Sequence, residues 1–403
     1  MLHSIISNSS THFPSTVGGK AFNILKLDEF KFLTPSSVII DNDIIYELLT
    51  DEMKFNLILD SIINRLKENN IENFSIRSSP VYSMPGMMDT ILDVNINDLQ
   101  KLKDSILTIV NSYYNKRAIL YRKIKNIPEI LPGIIIQKMV YGDKNDKSGT
   151  GILFTRTSNG KLEPNGEYIP NAKGDVLVSN ETESNDLTKL LSDPTYKYCF
   201  DLYVTKLEQY FKAPQEVEFT IEDGEVYFLQ TRKLQFNNLV YLHILNNMLN
   251  NGTLTPVEFN NELTDFVKDK TFEWIDPIQY DEIDGVPFLP VNVVSGGIKR
   301  GIVTRDVNNL NKNSILIKDK ILNEDLQLLN KIGGLITTEG NITSHPSILC
   351  RNLSLPYVII EKELLVHIVD GEVITLDAYN GAVTNKDVNI EVLNTDMLKN
   401  FLK

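Results

Sequence analysis

Only two cysteines, Cys199 and Cys350, occur in 403 residues, and no CxxC spacing joins them. That argues against a disulfide framework and a cysteine-built zinc site, and fits a reducing compartment. Positive charge is also short. Lys and Arg number 40 against 53 Asp and Glu, a net charge of -13, whereas a sequence-independent nucleic-acid binder needs a basic face. No apolar run reaches the roughly 18 residues of a membrane-spanning helix. The N-terminal MLHSIISNSSTHFPSTVGGKAFN lacks the basic-then-apolar order of a secretion signal. These absences predict a cytoplasmic protein. Neither GxxxxGK[ST] nor GxGxxG is present, so any phosphate site must be assembled from dispersed residues.

What is there suffices for two or three domains, since the hydrophobic share of 42% is ordinary for a globular chain. Apolar residues at Leu99, Leu102, Ile106, Ile109, Val110, Tyr113 and Leu120 recur at helical spacing and predict one long helix over 97–124. GIIIQKMVYG (133–142) and TGILFTRT (150–157) read as strands, and helical periodicity returns over 185–211 with an interruption near Pro194. EVEFTIEDGEVYFLQTR (216–232) reads as a hairpin turning at Asp223-Gly224. The first domain is expected to close at residue 236, followed by a helical connector without its own core (237–284). A compact α/β unit (285–384) and a charged tail mostly short of core residues (385–403) follow.

Three clusters suit phosphate chemistry. Gly18-Gly19-Lys20 sets a lysine beside glycines that let backbone amides approach an anion. SIRSSPVYSMPGMMDT (75–90) joins Arg77 to a Ser/Gly/Pro loop. Glu218 and Gln230 face each other across the predicted hairpin, with Arg232 two residues on and therefore on the same strand face. An acid with an amide oxygen can hold Mg²⁺, and an arginine can take a phosphate. Each also has a plain explanation: a turn, an ion-paired surface arginine, a solvated strand face. In TTEGNITSHPSILCR (337–351), Ser344 or Thr343 can cap a helix that Pro346 begins. A phosphoryl group on His345 at that helix start would meet free amides and a favourable dipole, and Arg351 could offset more of its charge.

The order of these stretches resembles the pyruvate phosphate dikinase and phosphoenolpyruvate synthase family. VGGKAFNILKL, IRSSPVYSMPGMMDTILDV, QKMVYG, GTGILFTR and EVEFTIEDGEVYFLQTR resemble its nucleotide domain, RAILYR (117–122) an arginine-bearing helix, and TTEGNITSHPSILCR its phosphohistidine signature. SMPGMMDT is particular to the dikinase branch. The resemblance implies a multidomain α+β and α/β fold, with an ATP-grasp nucleotide domain followed by a swivelling phosphohistidine domain. It implies ATP and Mg²⁺ as cofactors. Lys20, Arg77, Arg117 and Arg232 would lie at the phosphates, Gln137 and Met139 at the adenine, and Glu216 at a further acidic position. Glu218 and Gln230 would take the metal. His345 would be the nucleophile, with Thr343 and Arg351 beside it.

The expected reaction is autophosphorylation of His345 with release of AMP, inorganic phosphate or water taking the γ-phosphate, and transfer to an acceptor held elsewhere. That acceptor could be a separate barrel-bearing chain or a small molecule, because the family's third, pyruvate-binding barrel has no counterpart in these residues. A nucleotide-sensing module without turnover and an antibiotic-type dikinase are the alternatives. The sequence departs from the family at Ser79-Pro80, where Gly-Ala is usual, and at Pro346, Ser347 and Cys350.

Overall fold

A computed structural model describes residues 3–7, 13–84, 86–158, 160–174, 185–236, 238–268, 272–274, 289–342 and 344–393. The chain begins with β1 (His3–Ile6), α1 (Pro14–Val17), α2 (Gly19–Glu29), β2 (Ser37–Ile40), α3 (Asn42–Thr50) and α4 (Glu52–Glu68). β3 (Asn73–Ser79), β4 (Thr90–Asn95), α5 (Leu99–Ser112), α6 (Lys116–Lys125) and β5 (Gly133–Lys138) follow. The strands form a mixed sheet in the order β1-β2-β5-β3-β4. Helix α4 shows why it forms. Asp51 caps it by accepting the Met53 and Lys54 N–H groups, and Phe55, Ile58, Ile62 and Leu66 bury one stripe at helical spacing. Each such side chain contributes about 1.5–3 kcal/mol on burial.

The single helix expected over 97–124 is two helices. Asn115 starts a new one by accepting the Ala118 N–H at 2.8 Å. The Arg122 guanidinium lies 3.9 Å from the Tyr113 ring centre and donates to the Tyr113 carbonyl at 2.6 Å, folding α6 back on the end of α5. Side-chain periodicity ran through a boundary that polar capping made.

A second sheet, in the order β10-β9-β6-β7-β8, is antiparallel throughout. It comprises β6 (Gly149–Arg156), β7 (Leu162–Pro170), β8 (Asn185–Asp186), β9 (Gln215–Glu222) and β10 (Glu225–Lys233), with α7 (Pro194–Phe211) against it. The hairpin turns where expected: Asp223 and Gly224 both adopt positive φ (52° and 88°), as a tight two-residue turn demands.

The connector differs from expectation. Helix α8 (Asn238–Asn250) has a core cluster of its own in Val240, Tyr241, Ile244, Leu245, Met248 and Leu254, followed by α9 (Pro256–Val267). Its Asn-rich polar face had masked an apolar stripe. β11 (Phe272–Trp274) then pairs with a strand from the presumed tail, residues 391–393, and Val388 is buried. The connector is therefore not purely helical, and the tail contributes a strand. The expected boundary at 284–285 lies outside the described residues.

The last sheet runs β12-β19-β18-β14-β15-β16-β17-β13. It contains β12 (Leu289–Pro290), β13 (Asn292–Ser295), β14 (Ile298–Thr304), β15 (Ser314–Lys318), β16 (Gly334–Thr337), β17 (Tyr357–Ile359), β18 (Val373–Asp377) and β19 (Ala382–Thr384). The tail strand is β20 (Glu391–Leu393), and α10 (His345–Leu353) links β16 to its parallel neighbour β17. Among the described residues no helix is long and apolar enough to cross a membrane.

Candidate functional site

Helix α2 begins at an unusually close contact. Gly18 adopts φ +79°, and a Cβ there would sit 1.7 Å from the Ser79 carbonyl oxygen, so only glycine fits. The Gly19 N–H donates to the Pro80 carbonyl at 3.0 Å, and the Ala21 N–H to the Ser79 hydroxyl at 3.0 Å. Ser79-Pro80, a departure from the family's usual pair, thus caps α2 and fixes Lys20 between the two sheets. On its other side, Asn23 of α2 donates to the Thr231 carbonyl of β10 at 2.8 Å.

Arg77 reaches from β3 to the second sheet. It donates to Gln137 Oε1 (3.2 Å), the Leu229 carbonyl (3.4 Å), Glu218 Oε2 (3.0 Å) and Gln230 Oε1 (2.8 Å). Glu218 and Gln230 are direct cross-strand partners, as read from the hairpin, and Gln230 donates to Glu218. Arg232 pairs with Glu216 directly opposite.

The three cations influence one another. Burial, then the charge of Arg77, lowers the Lys20 pKa to about 8, with Glu218 opposing and Arg232 adding to the fall. Burial works against the charge of Arg232, but Glu216, joined by Glu218 and Tyr121, raises that pKa on balance. Two carboxylates therefore face three cations, leaving a positive surplus suited to a polyphosphate. Gln137 gives a second sign of fit. Its Oε1 is held by Arg77, while its buried Nε2 has no partner among the described residues, leaving a donor for a ligand acceptor. Among the described residues no cluster of three or more His, Cys, Asp or Glu could hold a metal. Glu218 and Gln230 present two side-chain oxygens that could join phosphates and water around a Mg²⁺.

Other expected residues fall differently. Arg117 stays outside this network, paired with Asp89 at 2.6 Å on an exposed surface. Met139 has already given its N–H to the Asn73 carbonyl at 2.9 Å, so that amide is not spare for a base. Thr343 lies outside the described residues. His345 occupies the first position of α10, and Ser344 caps the helix by accepting the Ser347 N–H at 3.4 Å. Arg351, six residues on, lies on another side of α10. It braces the loop before His345 by donating to the Ile342 carbonyl at 2.7 Å, rather than simply facing position 345. Burial depresses its pKa, with Glu216 opposing and Arg232 reinforcing the fall, so the Arg351 guanidinium feels the same charges. Glu167 is a contact the sequence reading missed: its carboxylate on β7 accepts the Ile342 N–H at 3.1 Å. Only tertiary packing, 175 positions apart in sequence, brings the two together.

The two sheets, with a match to an AMP/ATP-binding domain, define a multidomain α+β fold with an ATP-grasp nucleotide-binding domain. Residues 52–188 match the pyruvate phosphate dikinase AMP/ATP-binding domain, and residues 310–381 the mobile domain of PEP-utilising enzymes. Pyruvate, phosphate dikinase of Clostridium symbiosum is 28% identical over 313 residues, covering 72% of this chain and 36% of that protein. The Rickettsia typhi protein of the same name is 27% identical over 326 residues (70% and 35%), and that of Entamoeba histolytica 27% over 320 (73% and 36%). The chain belongs to the pyruvate phosphate dikinase and phosphoenolpyruvate synthase family over its N-terminal and central parts. It matches only 35–36% of the length of those three relatives.

Proposed function

We propose that this chain is an ATP- and Mg²⁺-dependent phosphotransferase of the dikinase type, which phosphorylates its own His345 and passes the phosphoryl group to an acceptor bound outside these domains. The observation that carries the reading is the surplus of positive charge formed by Lys20, Arg77 and Arg232 from three separate elements, with the Arg351 guanidinium of the His345 helix within reach of Arg232 and Glu216. The nucleotide domain would span 1–236, the connector 237–284 and the phosphohistidine domain 285–384.

Gln137 would present its unpaired N–H to the base. Lys20, Arg77 and Arg232 would hold the phosphates, and α6 would bring Arg117 over once Asp89 releases it. Mg²⁺ held by Glu218 and Gln230 would neutralise charge on the phosphoryl oxygens, which is most of what such a transfer needs. His345 would attack through a ring nitrogen of its neutral imidazole. A nitrogen lone pair bonds to the β-phosphorus as that atom's bond to the oxygen shared with the α-phosphorus breaks. AMP leaves with the electron pair, and the γ-phosphoryl group goes to inorganic phosphate or water. The positive end of the α10 dipole then favours the new negative charge at position 345.

Mass spectrometry of the protein after Mg-ATP, kept at neutral to basic pH to protect the P–N bond, is expected to find the phosphoryl group on His345. His345→Ala is expected to bind ATP normally, form no phosphoenzyme and release no AMP. Normal AMP release by that variant sinks the mechanism. Binding by the wild type without AMP release supports the nucleotide-sensing alternative.

A further inference from the structure

The loop that ends in His345 is seated on the nucleotide domain by contacts from three separate elements. Glu167 of β7, a buried carboxylate, accepts the Ile342 N–H at 3.1 Å. The Ile342 side chain packs against a cluster containing Ile152, Phe154, Ile169 and Leu234. The Arg351 guanidinium lies 5.7 Å from the centre of the Phe154 ring while it holds the Ile342 carbonyl. At the far end of α10, Lys125 of α6 donates to the Asn352 carbonyl at 2.8 Å. Both ends of the helix are thereby held.

We propose that Glu167 and Lys125 are positioning residues, which seat α10 and its preceding loop in the pose that receives phosphate and release it for delivery elsewhere. The proposal rests on the phosphotransferase reading above. The chemistry suits a reversible seat. Both contacts are charge-assisted hydrogen bonds to backbone groups, strong enough to select one orientation. When the domain leaves, the carboxylate and the ammonium gain water in exchange, so neither is stranded as a buried unpaired charge. Both partners on the mobile side are main-chain groups, so the seat depends on the path of the loop. Apolar packing of Ile342 supplies the non-directional remainder.

The test uses the full chain. Spin labels at Tyr198→Cys and Val366→Cys, both exposed positions, in a Cys199→Ser background report the separation of the two domains without any turnover. Glu167→Ala and Lys125→Met are expected to broaden that distance distribution, and to slow labelling by ATP carrying radioactive β-phosphate about ten-fold or more each. Affinity for a non-transferring ATP analogue should stay unchanged, which also shows the nucleotide domain is folded. Glu167→Gln, which keeps an acceptor oxygen, should recover part of the rate. Wild-type distances and labelling rates in both Glu167→Ala and Lys125→Met overturn the proposal. Failure of the wild type to take label would instead overturn the phosphotransferase reading, and the distance measurement would still decide whether the seat exists.

Discussion

Two arginine–carboxylate clusters lie within the nucleotide domain, and they are built for opposite ends. Arg156 and Glu208 are each only 1% exposed. Arg156 Nε meets both oxygens of Glu208 (2.9 and 3.1 Å), Nη2 meets Oε2 (2.7 Å), and Nη1 meets the Gly160 carbonyl (2.8 Å) and Asn247 Oδ1 (3.0 Å). Thr155 donates to Glu208 at 2.7 Å. Every nitrogen of that guanidinium is engaged and the charges balance, so the cluster ties β6, α7 and α8 together and offers nothing to a ligand. Around Arg77 the acid Glu218 stays partly exposed, two more cations stand nearby, and Gln137 keeps an unpaired donor. A closed, balanced pair holds structure; an open, unbalanced group awaits an anion.

The largest effect should come from breaking the closed cluster. Glu208→Ala leaves the Arg156 charge buried without its partner, and is expected to lower stability by about 3–5 kcal/mol in denaturant unfolding. Its folded fraction should still bind an ATP analogue. Next in size, Arg77→Ala is expected to weaken nucleotide binding by about 1.5–3 kcal/mol by calorimetry. The loss of stability should be much smaller, because removing one of three crowded cations relieves repulsion on Lys20. Should Arg77→Ala unfold the protein as readily as Glu208→Ala, the contrast between the clusters is wrong.

The sequence exposed the open cluster more readily than the closed one. Glu218 opposite Gln230 followed from strand alternation and a two-residue turn, because both are local rules of period and φ. Five strands of the last sheet were likewise legible in the short β-like runs IVTR, SILIK, GLITT, PYVII and EVITLD. Arg156–Glu208 was invisible as a pair, since its members lie 52 positions apart, although Arg156 ends the GTGILFTR stretch. The seat of Ile342 on Glu167 was hidden for the same reason. The break at Asn115 was missed differently: apolar spacing continued across it, and a polar cap overrode the period. Ser79 stood out only as a departure from the family's usual Gly-Ala, yet its hydroxyl caps α2. Its partner is 58 positions away in register with another element, beyond what spacing can show.

Lys20 gives the smallest and most discriminating test, because its effect depends on pH. Burial and the charge of Arg77 lower its pKa to about 8, against an ordinary 10.5. A bound polyphosphate favours the ammonium and pulls that pKa back up. Below pH about 8 the lysine is already charged, and nucleotide binds without taking up a proton there. Above it, each binding event must recover a proton, so affinity for a non-transferring ATP analogue should fall by up to about tenfold per pH unit. Folding has the opposite sign. Between pH about 8 and the ordinary lysine range the unfolded chain holds more protons at this residue, so the stability contribution of Lys20 in the empty protein rises with pH. Lys20→Met should bind more weakly at pH 7, lose the step in affinity above pH 8, and lose its share of the rise in stability. The difference between the two proteins isolates Lys20 from the tyrosines and other lysines that titrate at higher pH. A wild-type affinity that stays level from pH 7 to about pH 9.5 would place Lys20 among ordinary surface lysines, and the open cluster would lose its third cation.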